Sequence, residues 1–139
     1  MRKPLKLLAG AVVLAAMAGT ALAATDYSKM RADKRVQSEL LAASMAYLID
    51  DECASIRLRR FKVVTYALSL SSYAKSLGYT SKEVEAYIND KDEQARFREM
   101  AEARLIEKGA DPDQPESYCV VGRAEIEKRT YLGSMLKGG

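Results

Sequence analysis

The sequence predicts an all-α protein: one small domain of about five helices, cross-linked by a single disulfide and preceded by a cleaved signal peptide. Apolar residues recur at helical spacing through most of the chain. Capping signatures and isolated glycines mark where helices begin and end. The only two cysteines, Cys53 and Cys119, belong to a chain whose first residues are typical of an exported protein.

Residues 1–23 are predicted to be the signal peptide. Basic residues near the start precede an apolar run, and Gly19 to Ala23 ends in the small-x-small pattern that signal peptidase accepts. The run is shorter than the roughly 20 residues that span a bilayer, so an uncleaved anchor is the weaker alternative. We therefore expect cleavage after Ala23, a periplasmic or secreted location in a bacterium, and a helical domain at residues 24–139 with its core at about 28–137.

Removal of this leader changes the net charge. The whole chain has 22 Lys and Arg against 19 Asp and Glu, and residues 1–23 hold three of the basic residues and none of the acidic ones. The remaining chain is therefore neutral. A nucleic-acid partner is not expected, because a nucleic-acid binder needs surplus cations to neutralise phosphates. No membrane span is expected in the mature chain, since no second apolar run is long enough.

The first two helices are predicted on either side of an acidic run. One helix runs from about Ser28 to Ile49, where apolar residues from Val36 onward recur every three or four positions. The second runs from about Ala54 to Leu77 and ends at Gly78. The predicted inward face of this second helix consists of Ile56, Val63, Ala67, Leu70, Ala74 and Leu77.

Two capping signatures place the third and fourth helices. Thr80 with Glu83 has the spacing of a capping box, and it opens a short helix that ends near Asn89. Asp90 with Glu93 has the same spacing and opens a helix that ends near Lys108. Gly109 is expected to stop that helix.

The last helix is predicted from Glu116 to about Lys137, with Pro115 suited to its first position. Cys119, Gly122, Ile126 and Gly133 would share a narrow arc of this helix. Each helical glycine costs about 1 kcal/mol relative to alanine, so we expect a neighbouring helix to pack closely there. A bond from Cys53 to Cys119 would then pin two roughly parallel helices at their N-terminal ends.

Other roles for the two cysteines are weaker. A redox-active pair is usually C-x-x-C, and a structural zinc needs about four nitrogen or sulfur ligands in a chain that has no histidine. We therefore expect a structural disulfide that contributes about 4 kcal/mol. No cofactor and no metal are expected.

One cluster of cations is a candidate binding site. Arg57, Arg59 and Arg60, together with Arg123, could bind an anion or form ion pairs. The preferred alternative is that the cations of the second helix pair with the acidic run at residues 50–52 or with acidic residues of a neighbouring helix. The same run could suggest a metal, but adjacent carboxylates on a regular element point in different directions.

Catalytic constellations are scarce. The absence of histidine excludes Ser-His-Asp and Cys-His arrangements, and no phosphate-binding glycine pattern occurs. An enzyme is therefore not expected. The remaining possibility is a cleft where Arg59, Arg123 and Glu125 converge around a carboxylate of raised pKa.

Three segments resemble a small exported bacterial family of unknown function with two cysteines. They are Cys53-x-Ser55-Ile56-x-x-Arg59, Leu77-Gly78-Tyr79-Thr80-x-x-Glu83-Val84-x-Ala86-Tyr87, and Ser117-Tyr118-Cys119-x-x-Gly122-Arg123-x-Glu125-Ile126. The resemblance spans about residues 50–137, and residues 27–49 match poorly. It implies a helical domain with paired cysteines and carries no catalytic residues.

Two functions follow as expectations. The first is a non-catalytic binding or interaction module of the envelope, whose partner would be another envelope protein. The alternative is a binder of small apolar ligands or a periplasmic stress chaperone, because methionine and tyrosine allow an interior to re-pack. The residues behind this alternative are Met45, Met100, Met135, Tyr66 and Tyr73. The sequence does not indicate an oligomeric state.

Overall fold

The computed structural model describes residues 24–138, and the predicted signal peptide lies outside these residues. The described part is 72% helical and forms one small domain of seven helices and a two-stranded sheet, which confirms the all-α prediction. No helix among these residues is long and apolar enough to cross a bilayer. The elements are α1 (Ser28–Ala32), α2 (Lys34–Glu52), β1 (Ile56–Leu58), α3 (Arg60–Ser76), α4 (Ser81–Asn89), α5 (Lys91–Glu107), α6 (Glu116–Glu127), α7 (Tyr131–Ser134) and β2 (Leu136–Gly138).

Helix α2 is central, with α5, α6, α7, α3 and β1 packed against it. The predicted first helix is divided into α1 and α2 at Asp33, whose backbone is extended. The Asp33 carboxylate accepts a hydrogen bond of 2.9 Å from the Val36 amide, so it caps α2. Met45, Ala46 and Ile49 of α2 enter the core around the disulfide.

The second predicted helix starts later than expected, at Arg60. Residues 56–58 instead form β1, which pairs antiparallel with β2. The Arg59 amide extends this contact by donating a 2.8 Å hydrogen bond to the carbonyl of Met135. Ile56 and Leu58 are buried and Arg57 is exposed, as the alternation of a strand requires. The start at Ala54 was therefore wrong, because a distant strand pairs with this segment.

The capping predictions for α4 and α5 agree with the structure. Thr80 and Glu83 each accept a hydrogen bond from the backbone of the other, at 3.2 and 2.8 Å, which completes a capping box. Asp90 caps α5 through the Glu93 amide at 2.9 Å. Gly78 and Gly109 adopt φ angles of 106° and 111°, a left-handed conformation that favours glycine after a helix.

The last predicted helix is divided in two. Helix α6 ends at Glu127, and Arg129 has a φ of 53°, which turns the chain. Thr130 then caps the short helix α7 through the Gly133 amide at 3.0 Å. Gly133 therefore does not lie on the same helix as Gly122, and the shared arc was wrong.

Close packing does occur at both glycines. A Cβ atom on Gly122 would lie 2.6 Å from Ile56 Cδ1 and 3.0 Å from Ile49 Cγ2, so α6 approaches β1 and α2 closely there. A Cβ atom on Gly133 would overlap the carbonyl of Glu125, so α7 folds back onto the backbone of α6. Ile126 packs, partly buried, against the same core.

The disulfide joins Cys53 and Cys119, whose Cα atoms are 5.1 Å apart and whose side chains are buried. Cys53 ends α2, and Cys119 lies in the first turn of α6. Gly122, one turn after Cys119, contacts Ile49, one turn before Cys53, so the two helices run antiparallel from the bond. The predicted parallel pair of N-terminal ends was wrong, because Cys53 belongs to the end of α2.

Candidate functional site

The outer surface of α3 exposes large apolar side chains. Phe61, Val64 and Leu68 are 86%, 55% and 66% exposed. At 100° per residue, Phe61 and Leu68 lie about 20° apart, opposite Leu70 and Ala74, the two residues that α3 buries fully. The outermost line of the first half of α3 is therefore apolar, whereas the outer face of a surface helix is usually polar.

Cations surround the start of this line. Every charged residue from Cys53 to Lys82 is basic. Basic and apolar side chains together line an open groove of about 570 Å³, formed by Arg57, Leu58, Arg59, Arg60, Phe61, Lys62 and Lys137. We call the surface made by Arg60, Phe61, Lys62, Val64 and Leu68 the α3 face.

The structure brings three of the four predicted arginines together. Arg57, Arg59 and Arg60 line the groove, whereas Arg123 donates to the Ser55 hydroxyl at 3.2 Å, beside the disulfide. Arg59 donates to the Ser134 carbonyl at 3.3 Å.

The predicted pairing with the acidic run holds in one place. Arg57 lies 4.0 Å from the Asp50 carboxylate, which also accepts a 2.9 Å hydrogen bond from the Leu58 amide. Asp51 faces Arg98 of α5 instead, at 4.0 Å. Across residues 24–138, no three His, Cys, Asp or Glu side chains come together in a way that could hold a metal ion.

Aromatic contacts fix the inner side of α3. The ring of Tyr66 stacks on that of Tyr131 with centroids 4.6 Å apart, and its hydroxyl lies 2.8 Å from the Ser134 hydroxyl. The Lys62 ammonium lies 5.2 Å from the centre of the Tyr66 ring. Burial and the nearby Glu39 carboxylate raise the pKa of Tyr131. Helix α3 is thus attached to α7 by one side and leaves the α3 face uncovered.

Residues of the first and third resembling segments meet at the disulfide. The Ser55 hydroxyl lies 3.5 Å from the sulfur of Cys53 and 3.6 Å from that of Cys119, and Arg123 donates to it. Gly122 supplies the close approach to β1. The contacts of Ser55 with Cys119 and Arg123 could not be predicted from the sequence, because they join positions that are distant along the chain. Here these residues build the fold.

The carboxylate of Glu125 is buried and fully paired. It accepts hydrogen bonds from the Lys108 ammonium at 2.9 Å and the Thr130 hydroxyl at 2.6 Å. Burial raises the pKa of this carboxyl, but the hydrogen bonds from Thr130 and Lys108 outweigh it and hold the pKa below its usual value. Arg59 donates to the Ser134 carbonyl and Arg123 donates to the Ser55 hydroxyl, so these arginines do not converge on Glu125. The pKa of Glu125 is lowered and not raised.

A second buried carboxylate, that of Glu93, ties α1 to α5. It accepts hydrogen bonds from Arg31 at 2.6 Å and from Arg96 at 3.0 Å. Burial raises its pKa, yet the two guanidinium groups lower it more, and the net pKa is below the usual value. Arg96 also donates to Gln37 of α2 at 2.9 Å, and Gln37 donates to the Tyr87 hydroxyl at 3.2 Å. This network was not expected from the sequence.

An open groove of about 700 Å³ lies beside this network, between α2, α4 and α5. Its walls are mostly apolar, and Tyr47 and Ile88 reach solvent at its edge. Its apolar walls include Leu40, Ala43, Tyr47, Tyr87, Ile88 and Phe97.

Residues 28–137 match the family described as a family of unknown function, DUF5333. The match covers most of the chain, which therefore belongs to this family. The match includes residues 28–49, so it extends beyond the predicted resemblance at residues 50–137. Searches of curated proteins and of solved structures found no match.

Proposed function

We propose that this protein is a non-catalytic binding module of the bacterial cell envelope and that it binds through the α3 face. One observation carries this proposal: α3 turns Phe61, Val64 and Leu68 to solvent between cations. Contiguous exposed apolar surface of this kind marks interaction sites. Aromatic and arginine side chains are also the groups that most often dominate binding energy.

An exported location is part of the proposal. The N-terminal pattern favours a signal peptide cleaved after Ala23 and release to the periplasm or the medium. The buried disulfide supports this location, because disulfides persist in oxidising compartments.

Site-specific photo-cross-linking tests the α3 face. Benzoylphenylalanine in place of Phe61, which is 86% exposed, should form adducts in living cells of the source bacterium. The matched control carries the same group in place of Val120, which is 64% exposed on α6. Adducts at position 61 that are absent at position 120 would support the proposal. Adducts at neither position, or equally at both, would contradict it.

A second candidate function is the binding of a small apolar ligand in the groove between α2, α4 and α5. Its volume, about 700 Å³, falls in the range of known ligand sites, which are mostly apolar. Titration with an environment-sensitive fluorescent dye should show saturable binding. Replacing Ala43→Leu should fill the groove and weaken dye binding, whereas the control Ala67→Leu on α3 should leave dye binding unchanged. Binding that is unchanged by Ala43→Leu would exclude this groove.

A further inference from the structure

We propose that the α3 face binds the surface of a lipid bilayer that contains anionic phospholipids, an inference that rests on the proposed role of this face in binding. The α3 face would lie at the boundary between the lipid headgroups and the acyl chains. Three features of the structure lead to this choice: the shape of the apolar line, the sign of the charges around it, and their spread along the helix.

The apolar line is a ridge on a convex helix. Phe61 and Leu68 are separated by about 10 Å along the α3 axis, with Val64 between them. Their exposed fractions, 86%, 66% and 55%, show that no other part of the described chain covers them. A ridge can enter the headgroup region without a matching cavity, as the apolar side of an interfacial helix does.

The charges complement lipid phosphates. Arg60 and Lys62 lie about 100° to either side of Phe61 around the helix. The exposed side chain of Arg60 can reach headgroups while the aromatic ring enters the boundary below it. Lys62, whose ammonium lies over the Tyr66 ring, can do the same by turning its long side chain outward. No acidic residue occurs from Cys53 to Lys82, so nothing on α3 itself repels an anionic surface.

The spread of the cations favours an extended surface over a compact partner. Arg60 and Lys62 lie at the start of the ridge and Lys75 lies beyond its end, about 20 Å along the helix axis. A bilayer offers phosphates at any position along this length. A protein partner would have to place carboxylates at matching positions to gain the same attraction. The geometry therefore fits α3 lying flat on a membrane.

Co-sedimentation with vesicles tests the proposal on the purified, disulfide-bonded protein. It should bind vesicles of phosphatidylcholine mixed with phosphatidylglycerol and should not bind vesicles of phosphatidylcholine alone. Binding should fall as salt shortens the Debye length from about 10 Å at 0.1 M to about 3 Å at 1 M. Equal sedimentation with both kinds of vesicle, or with neither, would overturn the proposal.

Two pairs of double variants separate the ridge from the charges. Phe61→Ser with Leu68→Ser should reduce binding about tenfold or more, whereas Ile106→Ser with Val120→Ser, exposed apolar residues of α5 and α6, should leave it unchanged. Arg60→Gln with Lys62→Gln should reduce it about tenfold or more, whereas Arg98→Gln with Arg104→Gln on α5 should leave it unchanged. Parental binding by either α3 variant would contradict the proposal.

The cross-linking experiment identifies which proposal fails. Lipid adducts at position 61 together with vesicle binding support both proposals. Protein adducts at position 61 without vesicle binding would support the binding module but contradict the membrane proposal. They would indicate that the partner is an acidic protein. If the purified protein self-associates and Phe61→Ser abolishes this, the membrane proposal would be contradicted. The partner would then be a second copy of this chain. The absence of both adducts and vesicle binding would contradict both proposals.

Discussion

Helices α3 and α5 have the same length, 17 residues, and use their apolar residues in opposite ways. Helix α5 buries the apolar residues Phe97, Ala101 and Leu105 at four-residue spacing, in line with the paired Glu93, and most of its exposed side chains are charged. Helix α3 buries only Leu70 and Ala74 fully and presents larger apolar residues to solvent. The first arrangement serves the core, and the second is the one from which we propose contacts outside the domain.

The two phenylalanines of the chain make the difference measurable. Phe97 on α5 is 5% exposed, and Phe61 on α3 is 86% exposed. Burying such a side chain stabilises a fold by about 1.5–3 kcal/mol, a contribution that Phe61 barely makes. If the proposed binding by α3 is correct, stability and binding depend on different helices, and each can be altered with little effect on the other.

The largest expected effect is a core deletion on α5. Replacing Phe97→Ala should lower the free energy of unfolding by about 3–5 kcal/mol, because it removes a buried ring and leaves a cavity. Replacing Phe61→Ala should change it by less than about 0.5 kcal/mol. Urea denaturation measures both values. Similar losses in the two variants would show that α3 also belongs to the core.

The disulfide ties α2, on which α5 packs, to α6. Replacing Cys53→Ser together with Cys119→Ser should lower the free energy of unfolding by about 4 kcal/mol, because the bond closes a long loop. The control Ser55→Ala keeps the bond and should lose about 1 kcal/mol or less. A double variant that melts at the parental temperature would show that the bond is unimportant for stability.

The paired carboxylate of α5 should have a smaller effect. Replacing Glu93→Gln should lower the free energy of unfolding by about 1–3 kcal/mol, since it weakens charged hydrogen bonds to Arg31 and Arg96. The matched change Glu99→Gln, on the exposed side of α5, should stay within about 0.5 kcal/mol. Equal losses for Glu93→Gln and Glu99→Gln in chemical denaturation would mean that the Glu93 network adds nothing to the free energy of unfolding.

The same carboxylate gives a pH dependence. The folded pKa values of Glu93 and Glu125 are lowered from the ordinary value of 4.5, so their contribution to stability is fully present above that pH. It should be lost as the pH falls through the lowered values. Urea unfolding from neutral to acidic pH should therefore show a smaller decline in Glu93→Gln than in the parent. An identical decline would assign the acid sensitivity to other groups.

The smallest effect on stability is expected on α3 itself. Replacing Leu68→Gln keeps a good helix former at an exposed site and should change the free energy of unfolding by less than about 0.5 kcal/mol. The same variant should weaken vesicle binding. A clear destabilisation, seen in a thermal melt, would mean that Leu68 packs against the domain.

Local signals in the sequence predicted α4 and α5 well. A cap and a glycine stop act within a few residues of each other, so Thr80, Asp90, Gly78 and Gly109 could be read directly. The pairing of Cys53 with Cys119 followed from the cysteine count and the expected compartment. These features need no knowledge of distant contacts.

The missed features depend on such contacts. Residues 56–58 form a strand only because β2 pairs with them, and Arg129 adopts a left-handed backbone that favours glycine. Helix α3 has apolar residues all round, so periodicity does not tell which side is buried. The prediction that Ala67 faces inward is wrong, and the exposed line through Leu68 has no signature in the sequence. The arginines of the candidate site could therefore be predicted from the sequence, whereas its apolar ridge could not.

The pairing of β1 with β2 also orders the events of folding. Ile56 pairs with Gly138, so the strand that leads into α3 gains its partner only when a long loop of the chain closes. Helices α4 and α5, whose contacts with each other are short in sequence, can form earlier. We therefore expect β1, and with it the start of α3, to reach its native position after α4 and α5 have formed.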